Sequence, residues 1–349
     1  PRGDFLLVAC QGGAEEALCR RQRELLPDLQ RGAWRRGLVT LRLPAGCDPP
    51  DDFFPELIFA RTVVRSLGQV RAATTAELVT ATRGIAGTAD WRNVHVWARD
   101  PRADVDTAAI RRGVTAALGL PDDRAATAAA GDLVLDCVVD AADRWWIGWH
   151  RAATPASCWP GGIYPRPLAA GAVSRAWLKL DEAIATFGIP FEAGQRACEL
   201  RAAPGGSCQR LPEAGLRVVG VDPAVIDDRV AGHPRFEHWR KRSRDVPLRA
   251  FRGFDWIVSD MNIDPTSTLE AIGRIVTAPG VRPRGILATL KLPSWERAEA
   301  LPAWLATFRG WGYTPRVRQL STGGREICCL ALRARSRVSR RPATRRRDR

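Results

Sequence analysis

The sequence predicts an α/β protein with a doubly wound, Rossmann-like sheet in its C-terminal half and smaller α+β units before it. Three observations predict this fold class. Strand and helix patterns alternate over residues 174–332, as in a parallel sheet with crossover helices. A short apolar run ending in Glu199 leads into a Pro-Gly-Gly turn at residues 204–206 and then into a segment that can begin a helix. A linker rich in Pro, Gly and Ala, residues 152–172, separates the two halves.

The chain before this linker is predicted to form two α+β units, residues 1–73 and 74–151. The patterns place strands at 4–10, 37–43, 61–67, 93–98, 132–140 and 145–150, and helices at 13–26, 74–83 and 105–118. Trp145, Trp146 and Trp149 lie on the last of these strands. Such residues either stack on nucleic-acid bases or lie in a core, and a core position is the more common outcome.

Composition restricts the class of protein further. The 349 residues are enough for two or three domains, and a hydrophobic fraction of 45% is ordinary for a folded protein. No apolar run has the length of a membrane span and no signal-peptide pattern is seen, so we expect a cytoplasmic location and no membrane partner. The nine cysteines lack C-x-x-C spacing, and the four histidines lack metal-ligand spacing. We therefore expect buried free thiols and no metal site.

The charge of the chain indicates a polyanionic partner. The formal net charge is +15, of which the segment 333–349 carries nine arginines and one aspartate. Cationic side chains displace counterions from phosphates, which favours a nucleic acid, although a solvated disordered tail is an alternative for residues 334–349. Only three of the 53 basic residues are lysines, namely Lys179, Lys241 and Lys291. A lysine has a movable pKa that an arginine cannot supply, so these positions are candidates for chemistry.

The Pro-Gly-Gly turn predicts a cofactor site. Two adjacent glycines let the backbone approach a ligand, and the following helix start favours a carboxylate or another anion. A second apolar run, residues 216–221, ends at Asp222, where an acidic side chain suits the hydroxyls of a ribose. The pair indicates an adenosine-containing cofactor, and the absence of G-x-G-x-x-G disfavours a nicotinamide cofactor. The alternative is that the turn is only a loop.

Four charged side chains are predicted to converge near this turn. Asp260 ends the apolar strand at 254–261, and Lys291 ends the strand that follows it in the sequence. Glu326 opens the last strand, and Lys179 lies in the second turn of a helix capped by Ser174. Because ligands of open α/β sheets gather at the carboxyl ends of the strands, these side chains form a candidate catalytic set.

The sequence resembles the FtsJ-like ribose 2′-O-methyltransferase family, most of all its 23S rRNA cytidine 2′-O-methyltransferases. The resemblance covers residues 159–332 and rests on seven segments, which read WPGGIYPRP, SRAWLKLDEA, ELRAAPGGS, VVGVD, WIVSDM, LATLKLP and GREI. It implies an S-adenosylmethionine-dependent methyltransferase domain at residues 173–333 that acts on ribosomal RNA. It also implies a ferredoxin-like unit and a THUMP-like RNA-binding domain in the N-terminal half.

On this resemblance Lys179, Asp260, Lys291 and Glu326 match the catalytic tetrad of the family. We take Lys291 as the base for the 2′-hydroxyl, provided that burial and the neighbouring cation depress its pKa. Lys179 is then its electrostatic partner, while Asp260 holds the two lysines and Glu326 orients the ammonium or the ribose. The residues expected to bind the cofactor are Ser174, Glu199, Pro204, Gly205, Gly206, Ser207, Asp222, Asp245 and Asp260.

Two features depart from the family pattern. Arg201 stands where the family has a glycine beside the methionine part of the cofactor, and it must point outward or alter the pocket. Asp245 is a shifted substitute for the acid near the adenine, next to the basic run 240–242. An impaired enzyme that acts as an RNA-binding or ribosome-assembly factor is therefore one alternative, and methylation of another RNA is a second. An N-terminal half that only stabilises the enzyme is a further alternative, and a monomer is our working expectation.

Overall fold

The computed structural model describes residues 3–55, 57–121 and 125–334, which form two sheets of seven strands each. The basic tail predicted at 334–349 lies outside the described residues from residue 335 onward. The strands are β1 (Phe5–Cys10), β2 (Gln30–Arg35), β3 (Leu38–Arg42), β4 (Ala60–Arg71), β5 (Asn93–Ala98), β6 (Leu133–Ala141), β7 (Arg144–Arg151), β8 (Arg196–Leu200), β9 (Arg217–Val221), β10 (Phe236–Trp239), β11 (Trp256–Ser259), β12 (Gly285–Lys291), β13 (Tyr313–Arg318) and β14 (Glu326–Arg333). The helices are α1 (Glu15–Leu25), α2 (Thr75–Ala86), α3 (Thr107–Ala117), α4 (Arg175–Phe187), α5 (Gly206–Glu213), α6 (Asp228–Ala231), α7 (Pro265–Val276) and α8 (Leu301–Gly310).

The N-terminal sheet contains strands from both predicted α+β units. Its order is β2-β3-β1-β4-β7-β6-β5, and only β5 and β6 pair in parallel. Strand β4 joins the two groups because it pairs with β1 on one side and with β7 on the other. Trp145 and Trp149 on β7 are buried, so the core interpretation holds for both of them.

The C-terminal sheet has the order β10-β9-β8-β11-β12-β14-β13. Strands β8 to β12 pair in parallel, whereas β14 is antiparallel to both β12 and β13. The prediction of parallel strands up to residue 332 is therefore wrong for the last two strands. The reversal matters for the site, because it places the first residue of β14, Glu326, opposite the last residue of β12, Lys291. The mixed α/β class itself is confirmed.

Local sequence signals account for the helix boundaries near the site. Ser174 is the N-cap of α4, where its hydroxyl accepts a hydrogen bond from the Ala176 amide, and Gly188 ends the helix in a left-handed conformation. Thr74 and Glu77 form a capping box at the start of α2, as the threonine cap predicts. Strand β2 was not predicted, because its mostly exposed residues give no alternating apolar pattern.

One hydrophobic core joins the two halves of the chain. Its largest cluster contains residues of β1, β3 and β4 together with residues of the C-terminal sheet and α8. The linker is packed rather than loose, because Trp159 and Tyr164 are buried and in ring contact at 5.0 Å between centroids. The nine cysteines are free, and all but Cys47 and Cys158 are buried. Within the described ranges, no helix combines the length and the apolar character that crossing a membrane requires.

Candidate active site

Four charged side chains meet at the carboxyl edge of the C-terminal sheet. The Lys179 Nζ lies 3.2 Å from Asp260 Oδ2 and 2.9 Å from Glu326 Oε1. The Lys291 Nζ lies 3.0 Å from Asp260 Oδ1 and also contacts Glu326 Oε2. Each ammonium therefore contacts both carboxylates, and the four groups form a closed ring with alternating charge.

The ring follows from the positions of the strands. Asp260 directly follows β11, Lys291 ends the neighbouring parallel strand β12, and Glu326 faces Lys291 across the antiparallel pair of β12 with β14. Helix α4 brings Lys179 over this edge from one side of the sheet. The four side chains are only 10% to 19% exposed, so water screens their charges weakly.

Burial and charge act against each other on the ring. Burial raises the pKa of the Asp260 carboxyl, but the charges of Lys179 and Lys291 outweigh it and hold this pKa below its ordinary value. Burial lowers the pKa of Lys291, but Asp260 and Glu326 outweigh it and raise this pKa above its ordinary value. We expected a depressed pKa for Lys291, and the structure shows the opposite shift, because two carboxylates contact this ammonium. Lys291 is therefore charged in the free protein.

A small cavity of about 30 Å³ lies against the ring. Lys179, Asp260 and Glu326 line it together with Ser207 and Ser259. The hydroxyl of Ser259 is buried and has no hydrogen-bond partner among the residues that the structure describes. An unpartnered buried hydroxyl is costly, so this group indicates a polar ligand atom at the site.

The Pro-Gly-Gly turn forms a close-packed cradle beside the ring. Gly205 has a φ of +115°, which L-residues with side chains rarely adopt, and it is the N-cap of α5. A Cβ on Gly206 would overlap with the hydroxyl of Ser174. The carboxylate of Asp222 accepts hydrogen bonds from the amides of Ala203 and Ala224 and so fixes the loop after β8. Gly205 and Gly206 are buried in this packing, and Pro204 is the exposed residue of the turn.

Glu199 is the acid of this region whose pKa is shifted most. It is 3% exposed, and its Oε2 accepts a hydrogen bond from the Cys208 thiol at 2.9 Å. Burial raises the pKa of Glu199 to about 8, although hydrogen bonds from Cys208 and Ser207 lower it. The carboxyl of Glu199 is therefore largely protonated at neutral pH in the free protein.

A larger cavity of about 630 Å³, the size of a small-molecule site, lies at the carboxyl ends of β8 and β9. Arg201, Val221, Arg242, Met261 and eight further residues line it. Asp245 does not line this cavity; it is exposed and pairs with Arg244 at 3.8 Å. None of the nine predicted cofactor residues lines this larger cavity, whereas Ser207 and Asp260 line the small cavity beside the ring and Asp245 lines neither.

Arg201 is exposed and also lines the larger cavity, so its side chain forms part of the wall of this cavity. Its side chain is exposed, and its backbone has a φ of +58°, the left-handed conformation that suits glycine. The Arg201 amide donates to the Val221 carbonyl at 2.9 Å and so fixes this conformation. The strain comes from the substitution of a glycine-type position by arginine.

We expect Arg201→Gly to raise the free energy of unfolding by about 1 kcal/mol, because glycine adopts the left-handed conformation without strain. Arg217→Gly is the matched control, since Arg217 is exposed at the start of β9. In this strand, glycine is expected to lower the free energy of unfolding by about 0.5–1 kcal/mol. Denaturant titration measures both, and equal changes in the two variants would contradict the strain at residue 201.

The structure contains a second cluster of titratable groups, which was not predicted from the sequence. His95, Asp136 and His150 lie on neighbouring strands of the N-terminal sheet, are buried, and have ligand atoms within 4.8 Å of one another. The His150 ring contacts Asp136 Oδ2 through Nδ1 at 2.5 Å and the Ser157 carbonyl through Nε2 at 2.7 Å. Trp97 donates to the other oxygen of Asp136 at 3.2 Å. Asp136, His150 and Trp97 form a buried hydrogen-bond network, whereas the ring nitrogens of His95 have no hydrogen-bond partner among the described residues. Only the pairing of strands that are distant in sequence reveals this cluster.

Part of the chain is similar to known proteins. Residues 172–296 match the model of the FtsJ-like methyltransferase family. A protein named ribosomal RNA large subunit methyltransferase M from Aromatoleum aromaticum is 37% identical over 161 residues, 44% of this chain and 43% of that protein. A protein of the same name from Halorhodospira halophila is 32% identical over 194 residues, 52% of this chain and 54% of that protein. The chain thus spans about half the length of the curated relatives that it matches.

Among solved structures, TrmN from Thermus thermophilus is similar with a TM-score of 0.34 and 16% sequence identity, over 94% of this chain and 99% of that chain. The family match covers the turn, Lys179, Asp260 and Lys291. Residues 172–296 are therefore similar to an FtsJ-like methyltransferase domain, a class that takes its methyl group from S-adenosylmethionine. Within that class, the relatives of the chain are of the ribosomal RNA large subunit methyltransferase M type.

Proposed function

We propose that the protein transfers a methyl group from S-adenosylmethionine to a ribose 2′-hydroxyl of ribosomal RNA, with a cytidine of 23S rRNA as the target. The observation that carries this proposal is the closed ring of Lys179, Asp260, Lys291 and Glu326. The proposal also includes a cytoplasmic location and a monomer. We further propose that residues 1–73 and 74–151 form ferredoxin-like and THUMP-like units that hold the RNA.

The ring matches the needs of this reaction. A ribose hydroxyl is a weak nucleophile and has to lose its proton as it attacks. When RNA covers the site, further burial lowers the pKa of the Lys291 ammonium, and the neutral amine can then accept this proton. Lys179 stabilises the negative charge that develops on the ribose oxygen. Asp260 and Glu326 hold both lysines in position, so that little reorganisation is needed during the reaction.

The residues around the turn fit the cofactor, which supplies an activated methyl group on its sulfonium when it is bound. The surfaces proposed to hold it belong to Ser174, Glu199, Pro204, Gly205, Gly206, Ser207, Asp222 and Asp260. The unpartnered hydroxyl of Ser259 and the narrow cavity against the ring support a reacting centre at this edge.

Glu199 gives the protein a pH-dependent stability in the absence of cofactor. Because its pKa in the folded state is about 8, the fold binds a proton that the unfolded chain has already released at neutral pH. The stabilisation from the protonated carboxyl is complete at acidic pH and is lost as the pH rises through about 8. We expect Glu199→Gln, which mimics the protonated form, to remove this loss.

Denaturant titration from about pH 6 to about pH 9 measures the effect, and over this range the wild type should lose a few kcal/mol relative to Glu199→Gln. Glu192→Gln is the control, because Glu192 is an exposed acid in the loop before the same strand. A constant difference between the wild type and Glu199→Gln across this range would show that Glu199 is ionised in the fold.

The function is tested by incubating the purified protein with methyl-labelled S-adenosylmethionine and 23S rRNA transcribed in vitro, followed by mapping of the modified nucleotide. Label on one ribose 2′-oxygen of this RNA supports the proposal. Cofactor binding by calorimetry without transfer to any RNA contradicts it. Absence of cofactor binding would favour the RNA-binding or assembly factor, for which Arg201 at a glycine-type position is the motivating observation.

A further inference from the structure

A cleft of about 340 Å³ lies between the N-terminal sheet and the methyltransferase domain. Its walls include Gln11 and Gly12 from the N-terminal half and residues 319–321 and Gly323 from the loop that precedes β14. Four arginines line it, namely Arg36, Arg61, Arg99 and Arg102, with Asp100 as the acid among the lining residues. The lining therefore has an excess of three positive charges.

Two of these arginines have carboxylate partners and two do not. Arg102 forms a two-point contact with Asp100, and Arg99 contacts Asp140. For Arg36 and Arg61, the described part of the chain provides no hydrogen bond to the guanidinium and no ion pair. The cleft thus presents two cations that form no ion pair with the described residues.

Of these two arginines, Arg61 gives the stronger indication of an anionic ligand. Its Nε is buried without a partner among the described residues, and burial lowers the pKa of its guanidinium. The charge of Glu182 partly offsets the burial of this cation without forming an ion pair with it, so an anionic ligand in the cleft would stabilise the guanidinium further. The backbone of Arg61 is fixed, because its carbonyl accepts a hydrogen bond from Arg318 at 2.7 Å. The residue is partly exposed and lines the cleft.

The cleft adjoins the catalytic ring. Leu320 lines both the cleft and the small cavity beside the ring. Gly323 lines the cleft, and a Cβ at this position would lie 2.9 Å from Glu326 Oε1. Glu182 fixes the intervening loop, since its carboxylate accepts hydrogen bonds from the amides of Ser321 and Thr322. A polynucleotide with its ribose at the ring would place a neighbouring phosphate close to this cleft.

We propose that this cleft binds a backbone phosphate of the substrate RNA next to the methylated nucleotide, with Arg61 and Arg36 as its ligands. This inference rests on the proposed function, because it uses the position of the reacting ribose. Arginine donates two parallel hydrogen bonds to a phosphate, so two such groups in one cleft can fix the position of the phosphate as well as match its charge. The contacts carry no base information and position the RNA for the reaction.

The test compares three variants that each remove one positive charge. Arg61→Met keeps most of the buried volume, and Arg36→Gln changes an exposed residue that does not bear on folding. Arg35→Gln is the matched control, because Arg35 is exposed and next in sequence to Arg36 but does not line the cleft. Binding of labelled 23S rRNA transcribed in vitro is measured over a range of salt concentrations.

We expect Arg61→Met and Arg36→Gln to weaken binding about tenfold or more relative to Arg35→Gln. Each should also lower the slope of log affinity against log salt concentration by about 0.7–0.9, the loss of one phosphate contact. In methyl transfer, KM for RNA should rise while kcat at saturating RNA is retained. Unfolding temperatures equal to the wild type would exclude misfolding as the cause.

The outcomes separate this inference from the proposed function. If Arg61→Met and Arg36→Gln bind RNA with the same affinity and salt slope as Arg35→Gln, the proposal that the cleft binds a phosphate is wrong. Methylation by the wild type would still support the proposed function. If the two variants bind RNA more weakly and the wild type transfers no methyl group, the phosphate site in the cleft is supported and the methylation is rejected. Binding of inorganic phosphate that depends on Arg61, with RNA affinity unchanged, would show a free-anion site and overturn the proposal.

Discussion

Lys291→Ala is expected to lower the rate of methyl transfer to ribosomal RNA by ~10²–10⁴-fold, the range that a general base contributes. The variant lacks the amine at the end of β12 that accepts the proton of the ribose hydroxyl, while Asp260 and Glu326 remain in position. Cofactor binding measured by calorimetry should be retained, because Lys291 does not lie on the turn. Because the pKa of Lys291 is raised, we also expect the wild-type rate to increase with pH through the neutral range.

Lys241→Ala is the matched control for this experiment. Lys241 is the third lysine of the chain, is exposed, and lies outside the ring. Its replacement should leave the rate unchanged. Partial recovery of Lys291→Ala by added alkylamine would support a role in proton transfer, and near-normal turnover of Lys291→Ala would reject the assignment. Lys179→Ala tests the alternative base, since both ammonium groups contact the same two carboxylates.

Asp136→Ala is expected to lower the free energy of unfolding by about 3–5 kcal/mol, the cost of leaving a buried charged partner uncompensated. Asp136 is fully buried and accepts hydrogen bonds from Trp97 and His150. Burial lowers the pKa of His150, but the Asp136 charge outweighs it and raises this pKa above the ordinary value. The His150 contribution is therefore present at acidic pH and lost as the pH rises through this raised value.

Denaturant titration at several pH values measures this effect, with Asp143→Ala as the control. Asp143 is exposed in the turn between β6 and β7 and does not contact the cluster. Its replacement should change stability by less than about 0.5 kcal/mol. A loss of similar size in both variants would contradict the buried network, as would an unchanged midpoint for Asp136→Ala.

Much of the local structure was accessible from the sequence because it depends on neighbouring residues. The strand over Asn93–Ala98 is observed with the predicted bounds, and Ser174 caps α4 as predicted. The apolar runs that end at Asp260 and Lys291 predicted a shared edge, since parallel strands present their carboxyl ends together. The structure brings these two residues and Lys179 into contact at that edge.

The remaining features depend on which strands pair, and local patterns do not encode this. An apolar run does not state its direction, so the antiparallel course of β14 was not predicted, although Glu326 was expected close to Lys291. The same reason hid the His95, Asp136 and His150 cluster, whose members meet only when β5, β6 and β7 pair. The raised pKa of Lys291 depends on two carboxylates at once and needed the assembled ring.

The hydrophobic cluster shared by the two sheets has a consequence for cooperativity. Phe59 in the N-terminal half packs against Trp295 at 6.1 Å between ring centroids, and the Gln319 amide donates to the Ile58 carbonyl at 2.9 Å. Separating the halves would expose this apolar surface on both pieces, and neither piece would retain its full stability. Heating the intact chain should therefore melt the two sheets in a single transition, and a fragment cut in the linker should aggregate.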